Sequence, residues 1–456
     1  MIQSPLGKGV QAFLDSIPEN LRPIPELFSV FYKAAQGNLT PQKANVIATC
    51  LGAANFYQSQ PITGPRTLTF PQDHGLQLST ANEWYFLVSN LKVDPSQGGG
   101  NIAVVTMMMR YSAVSPVVAK QLGWTPLQAQ LMDANLAVTF VTDEFNERII
   151  GDINCKSGLS GDLEFSYDPF KAVCDFDSYQ GEATVFPLVS NYSDEMQQLE
   201  VSLEYNQIEP LFLQGYNGYI PIDPGKSGFL YYSWAQLQTS GTISFKGITY
   251  NVTGVSWMDH QWGGPAATSL AVSQPGIRQG IGQQIAQSEA LQAIAENAAA
   301  SYGWTWFNFQ FTDGSAITFV APHGYPEPRP TAPLTGFGKY IAPETGQTID
   351  IAGHVLLTDF TQSPTTGAYF PTGWTLSVST PNNTQLALTI VPKPWLKDQF
   401  GMFASLQEFW EGGVDVVAFD LTSKPAIILN GVGFCEGVGF ETPESYAKRV
   451  VDFLES

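Results

Sequence analysis

The feature that most constrains this 456-residue chain is a two-residue hydrophobic period broken by turn residues. In Gly241-Thr-Ile-Ser-Phe-Lys-Gly-Ile-Thr-Tyr-Asn-Val-Thr253, Ile243 and Phe245, then Ile248, Tyr250 and Val252, alternate with polar residues around Lys246-Gly247. That period puts successive side chains on opposite faces of a strand, and the Lys-Gly pair predicts a hairpin turn. A second such segment is Trp304-Thr-Trp-Phe-Asn-Phe-Gln-Phe-Thr312, followed by an Asp313-Gly314 turn and Ser315-Ala-Ile-Thr-Phe-Val320. Aromatic residues make up 12% of the chain, with 42 glycines and 31 prolines, a composition suited to short strands and tight turns. The expectation is a mainly β protein with two consecutive antiparallel units. Closed sheets are favoured because a barrel can enclose an apolar ligand.

Pattern breaks divide the chain. Residues 1–65 read as a helical N-terminal extension, because Val10, Phe13 and Leu14, then Leu27, Phe28, Val30 and Phe31, fall near helical spacing. Residues 66–263 form the first β domain. Residues 264–302, rich in Ala, Gln and Gly, read as an inserted linker or lid with one helix from about 281 to 300. Residues 303–456 form the second β domain, closed by an amphipathic helix from Pro443 to Leu454.

With 21 Lys plus Arg against 41 Asp plus Glu, the net charge is −20, yet charged residues are only 14% of the chain. Cations are scarce, and no basic run locally reverses the field, so DNA, RNA and anionic membrane surfaces are excluded as partners. The four cysteines (Cys50, Cys155, Cys174, Cys435) show no CxxC spacing and the four histidines are far apart, so neither zinc nor another cofactor is indicated. The N-terminus lacks a basic region followed by an apolar one, and no apolar run approaches about 18 residues. A cytoplasmic protein without stable membrane insertion is expected, its partner an apolar small molecule.

Several segments can carry chemistry. In Gly254-Val-Ser-Trp-Met-Asp-His-Gln-Trp-Gly-Gly264, a strand places Val255, Trp257 and Asp259 on one face and Ser256, Met258 and His260 on the other. A carboxyl buried beside an indole resists ionisation, so Asp259 can stay protonated and act as an acid near neutral pH. The plainer alternative has Asp259 and His260 satisfying backbone groups at a strand end. In Asn430-Gly-Val-Gly-Phe-Cys-Glu-Gly-Val-Gly-Phe440, alternation leaves one face nearly bare of side chains, which predicts close approach by a ligand or, preferably, the neighbouring barrel. Glu436 on the other face must be paired or protonated. In strand 304–312, Phe307, Phe309 and Phe311 share a face; Trp304, Trp306, Asn308 and Gln310 make the mixed face, the better lining for a ligand cavity. Glu408-Phe-Trp-Glu-Gly-Gly413, Asp73-His-Gly75 before Glu83-Trp-Tyr-Phe86, and Phe229-Leu-Tyr-Tyr-Ser-Trp234 complete the set. No nucleophile elbow, Walker loop or dinucleotide fingerprint is present.

In this order, the Asp73-His74-Gly75, Glu83 to Phe86, Tyr231-Tyr232-Ser233, GVSWMDHQWG, Trp304 to Phe307, Trp410-Glu411-Gly412 and GVGFCEGVGF segments resemble the AttH-like and carotenoid hydratase family of tandem lipocalin-like proteins. Its relatives include plant-phytoalexin hydratases and fungal lipocalin-like Diels-Alderases. The resemblance spans about residues 70–456 and implies two packed lipocalin-like barrels with an apolar small-molecule site in or between them. It implies Asp259 as the acid, with Trp257 and Tyr232 beside it, and Tyr231, Trp84, Trp304, Trp306, Asn308, Trp410, Glu411 and Glu436 around the substrate. Glu436 and Glu411 rank behind Asp259 as acids. The chain departs from the family where EWYF replaces EWWY and where Leu213-Gln214-Gly215 replaces Leu-His-Gly. Loss of that histidine puts histidine-assisted hydration in doubt.

Two mechanisms fit this reading, on a hydrophobic polyene or isoprenoid-like substrate. In hydration or dehydration a neutral carboxyl protonates an alkene and aromatic faces stabilise the cation by roughly 0.5–2 kcal/mol each. In cyclisation, of Diels-Alderase type, the pocket folds the substrate, a proximity gain of up to about 7–11 kcal/mol. A non-catalytic carrier of an apolar ligand is the rival from a different class.

Overall fold

The computed structural model describes residues 5–16, 25–37, 39, 43, 62–80, 82–111, 134–143, 148–157, 163–174, 176–182, 184–223, 227–264, 303–323, 331–343, 346–362, 369–379, 385–392, 401–403 and 408–440. The helices expected near 281–300 and 443–454 lie outside the described residues. The N-terminal extension contains α1 (Pro5–Ser16) and α2 (Pro25–Gln36), which bury Val10, Leu14, Phe31, Ala34 and Ala35. Tyr32 on α2 donates to Asp15 on α1 at 2.8 Å.

The first sheet comprises β1 (Asn82–Val93), β2 (Asn101–Tyr111), β3 (Ala134–Asp143), β4 (Arg148–Ser157), β5 (Leu163–Tyr167), β6 (Phe170–Cys174), β7 (Asp177–Gly181), β8 (Leu188–Asp194), β9 (Leu199–Gln207), β10 (Phe212–Leu213), β11 (Tyr219–Asp223), β12 (Ser227–Phe245) and β13 (Ile248–Gly264). Its order is β4-β3-β2-β1-β13-β12-β9-β8-β7-β6-β5, with β10 and β11 pairing β12. The sheet curls, so that Leu87 and Met108 from its middle share one core with Tyr179 and Tyr205 from its far arm. It is a half-barrel rather than a closed one. The expected hairpin forms its spine: Phe245 pairs with Ile248 across Lys246 (φ 50°) and Gly247 (φ 79°), both left-handed as a tight two-residue hairpin turn requires.

The second sheet comprises β14 (Gly303–Phe311), β15 (Ala316–His323), β16 (Leu334–Ile341), β17 (Thr348–Gln362), β18 (Tyr369–Ser379), β19 (Gln385–Pro392), β20 (Gly401–Phe403), β21 (Glu408–Asp420) and β22 (Ile427–Val438). Strands β14 to β19, β21 and β22 form a ring of eight, closed by β19 against β21 and β22 against β14. Its interior is filled by Phe307, Phe309 and Phe311 with Trp374, Trp410 and Cys435.

The half-barrel and the barrel pack through a separate apolar layer. Phe86, Val88, Met107 and Trp257 from the first sheet meet Trp306, Phe434 and Val438 from the second. A bulge in β12 between Trp234 and Leu237 frees the Ala235 carbonyl from the ladder, and the other sheet uses it. Gln310 donates to the carbonyls of Ala235 (2.7 Å) and Ser256 (2.9 Å), while Gln236 donates to that of Gly314 at 3.2 Å.

The glycine-rich face of β22 is therefore not where the neighbouring domain lies, contrary to the preferred sequence expectation. The neighbouring domain contacts the apolar face, through Phe434 and Val438. The bare face turns into its own barrel, where the rings of Phe309 and Phe311 on β14 lie over Gly433 and Gly431. A methyl group at Gly433 would strike the Asn308 carbonyl oxygen.

Candidate functional site

Strands β12 and β13 pair with Ser233 opposite Asp259 and Tyr232 opposite His260. Because side chains alternate, Tyr231, Ser233, Trp257 and Asp259 project toward the barrel, whereas Tyr232, Met258, His260 and Trp262 project into the half-barrel. One strand pair thus carries two polar networks, back to back.

On the barrel side Asp259 is only 2% exposed. Tyr231 donates to its Oδ2 at 2.6 Å and the Trp257 indole N–H to its Oδ1 at 2.6 Å; the Ser233 hydroxyl also donates to Oδ1. Gln214 backs Ser233, its Nε2 donating to the hydroxyl at 2.9 Å. Thus Gln214 reaches the acid through one intermediary. Burial raises the pKa of Asp259 to about 7; the three donors oppose that shift and the negative field of Glu436 adds to it.

Glu436 faces Glu411 directly across β21 and β22. The Trp304 indole donates to Glu436, whose pKa burial pushes upward. Glu411 is 2% exposed, and among the described residues neither of its oxygens has a hydrogen-bond donor. Burial, then Glu436, then Asp259, push its pKa well above the carboxylate range, so Glu411 is the member of the pair that carries a proton. Asp259, Glu436 and Glu411 form a graded set of acids on aromatic walls, with Trp257 against Trp306 at 6.2 Å between ring centroids. Trp84, Trp304 and Glu436 are half-buried.

The remaining expected residues are more dispersed. Asn308 lies at the interface and accepts from the Phe434 N–H at 2.9 Å, its Nδ2 unpaired among the described residues. Trp410 points into the closed barrel against Trp374, at 5.7 Å between centroids, away from Asp259. Tyr232 lies on the half-barrel side, so the tyrosine that touches Asp259 is Tyr231. Ser233 is an addition to the expected set. Its signal was its place two residues beyond Tyr231 on one strand face, which means little without the register that sets it against Asp259.

On the half-barrel side, His260 Nε2 lies 2.9 Å from Glu83 Oε1 and its Nδ1 2.9 Å from the Tyr232 hydroxyl. The same hydroxyl meets His74 Nδ1 at 2.7 Å. Arg110, buried, pairs with Glu83 at 3.4 Å, and Arg66 grips Asp73 through two hydrogen bonds of 2.5 and 2.7 Å. Burial, then the neighbouring His260, lowers the pKa of His74 to about 4, against the attraction of Asp73. Among the described residues no three His, Cys, Asp or Glu side chains gather as a metal centre would. No helix among them is long and apolar enough to cross a membrane.

A half-barrel and a closed eight-stranded barrel in tandem, joined by an aromatic layer with buried acids, define the lipocalin-like class. Within it, the family model for AttH-like proteins matches residues 61–275. An AttH protein of Nitrosomonas europaea superposes with a TM-score of 0.59 at 19% identity, covering 83% of this chain and 99% of its own. Kievitone hydratase of Nectria haematococca superposes with a TM-score of 0.54 at 11% identity, covering 85% and 99%. CghA with Sch210972 gives 0.43 at 9% identity over 79% and 88%. No curated protein matches the chain.

Proposed function

We propose that the protein is an enzyme that protonates an unsaturated, apolar small molecule between its two sheets and adds or removes water across the double bond. The observation that carries this reading is Asp259: a buried carboxyl whose pKa is raised to about 7, beside the buried Glu411 and the half-buried Glu436. A general acid works best when its pKa lies close to the working pH. A site with separated proton affinities supplies acid and base together.

In the hydration direction, the proton on Asp259 passes to one alkene carbon and leaves a cation on the other. The indole faces of Trp257 and Trp306 and the negative charge of Glu436 stabilise that cation. A water molecule adds to it, and its released proton goes to Glu436. Return of that proton to Asp259 restores the starting state. The substrate class is a polyene or isoprenoid-like hydrocarbon, because the walls are aromatic and the acids are few and mostly uncharged. A hydratase stands on the same fold, which agrees with this choice over cyclisation.

The test is incubation of the purified chain with squalene and geranylgeraniol in deuterated, oxygen-18 water, followed by mass spectrometry. A product carrying both labels is expected, and Asp259→Asn should slow its formation about 10²–10⁴-fold while quenching of tryptophan fluorescence by the substrate persists. Retained turnover in that variant would remove Asp259 as the donor. An unlabelled isomer would mean cyclisation, and tight binding without conversion a carrier.

A further inference from the structure

The network on the half-barrel side plays no part in that reaction, yet its geometry is that of acid–base machinery. Its hydrogen-bond inventory is restrictive. Tyr232 has one hydroxyl proton, and two imidazole Nδ1 atoms converge on its oxygen, at 2.7 Å from His74 and 2.9 Å from His260. Among the described residues the only other acceptor near that hydroxyl is the Asp73 carbonyl, at the outer limit of 3.5 Å. Glu83 can only accept, so the nitrogen of His260 that faces it, Nε2, carries a hydrogen.

Two arrangements satisfy every group. In the first, His74 carries hydrogens on both nitrogens, its Nδ1–H donates to the tyrosine oxygen, and Tyr232 donates to a bare Nδ1 on His260. In the second, His260 carries hydrogens on both nitrogens, its Nδ1–H donates to Tyr232, and Tyr232 donates to a bare Nδ1 on His74. If both imidazoles were cationic, two N–H groups would aim at one oxygen and the tyrosine proton would be left with the distant carbonyl. The trio therefore holds one excess proton at most.

We propose that His74, Tyr232 and His260 form a second acid–base site, on the opposite face of β12 and β13 from Asp259, in which one proton passes between the two imidazoles through the tyrosine hydroxyl. In the transfer an N–H bond breaks at His74 and an O–H bond forms at Tyr232. The original O–H bond breaks in turn, and an N–H bond forms at His260. Charge moves from one ring to the other with no other reactant. Every charged neighbour is already engaged: Glu83 with Arg110 and the Gln77 N–H, Asp73 with Arg66. Tyr85 stacks on His260 at 4.2 Å between centroids and donates to the His74 carbonyl at 3.0 Å, holding both histidines in register. His74 in turn stacks on Phe70, at 4.6 Å, and Phe70 is exposed, so His74 is the end nearer solvent. The rings of Trp234 and Trp262 keep the rest of the path dry.

The site is tested by nitrogen-15 NMR of the full chain labelled at histidine, whose four residues are assigned by single His→Gln variants. From about pH 8 to about pH 4 the wild type should show one of His74 and His260 becoming cationic while the other stays neutral. In Tyr232→Phe, which removes only the hydroxyl, the two rings should titrate independently and the fixed tautomers should be lost. Both rings becoming cationic together in the wild type would overturn the proposal. So would unchanged tautomers in Tyr232→Phe. If that variant does not fold, the wild-type titration decides alone.

Discussion

Tyr231 and Tyr232 are adjacent in the chain, yet their hydroxyls belong to networks of opposite character. Around Tyr232 each charge has a counter-charge and each donor an acceptor: Glu83 with Arg110 and His260, Asp73 with Arg66. Around Tyr231 the carboxyls of Asp259, Glu436 and Glu411 press on one another, and Glu411 lacks any donor among the described residues. A buried polar group without a partner costs about 1–3 kcal/mol, so such a cluster opposes folding. The difference separates a network that the fold needs from one that only chemistry can use.

The largest effect is expected where the satisfied network is broken. Arg110→Met keeps the volume but leaves the Glu83 carboxylate buried without its cation, and about 3–5 kcal/mol of stability should be lost in urea denaturation. A loss below about 1 kcal/mol would mean that the half-barrel network is dispensable, and the contrast between the faces would fail. On the barrel side the sign should reverse. Glu411→Gln removes the cost of keeping that buried carboxyl protonated and offers Glu436 an N–H donor, so stability should rise by about 1–3 kcal/mol in the same assay. A fall instead would reveal that the carboxyl of Glu411 is already held in place.

How much of this was legible in the sequence depends on the range of the interaction. The 241–253 hairpin and the division of Trp257 and Asp259 from Met258 and His260 follow from strand alternation, a local property. The link between Glu83 and His260 spans 177 positions and exists only because β1 pairs with β13, which nothing in either segment announces. The glycine face of β22 misled for a related reason. Gly433 and Gly431 make room for Phe309 and Phe311 on the strand beside them, and a bare face looks the same whether a ligand, a neighbouring domain or adjacent rings lie against it. The family resemblance places both Trp410 and Glu411 beside the substrate, but alternation sends the two to opposite faces of β21.

The two faces should also respond to pH in opposite directions. Asp259 has an ordinary pKa of 3.8 and about 7 in the fold, so between those values the native chain holds a proton that the unfolded chain has released. Its contribution falls as pH rises from about 4 to about 7, by up to about 1.4 kcal/mol per pH unit. His74 has an ordinary value of 6.5 and about 4 in the fold, so the unfolded chain holds the extra proton and stability rises with pH over that window. In the wild type the two slopes offset each other. Asp259→Asn should steepen the rise of stability between about pH 4 and 6.5, and His74→Gln should turn it into a fall, both measured by urea denaturation at a series of pH values. Parallel curves for Asp259→Asn and wild type would mean that this carboxyl titrates like an exposed one.

The smallest effect concerns the hydrogen bond from Tyr231, which favours the ionised form of Asp259 and so holds its pKa below what burial alone would give. Tyr231→Phe should raise that pKa, and the decline of deuterium incorporation with rising pH should move upward by about one unit, equivalent to about 1.4 kcal/mol. The half-barrel side supplies the control. Tyr179 is as deeply buried, and its hydroxyl meets Thr106 at 2.9 Å, far from the acid. Tyr179→Phe should leave the decline where it is. If both variants move it equally, the shift comes from loosening of the sheet rather than from the donor, and Asp259 is not tuned by its own face. If only Tyr231→Phe moves it, the proton being transferred is the one that Tyr231 touches.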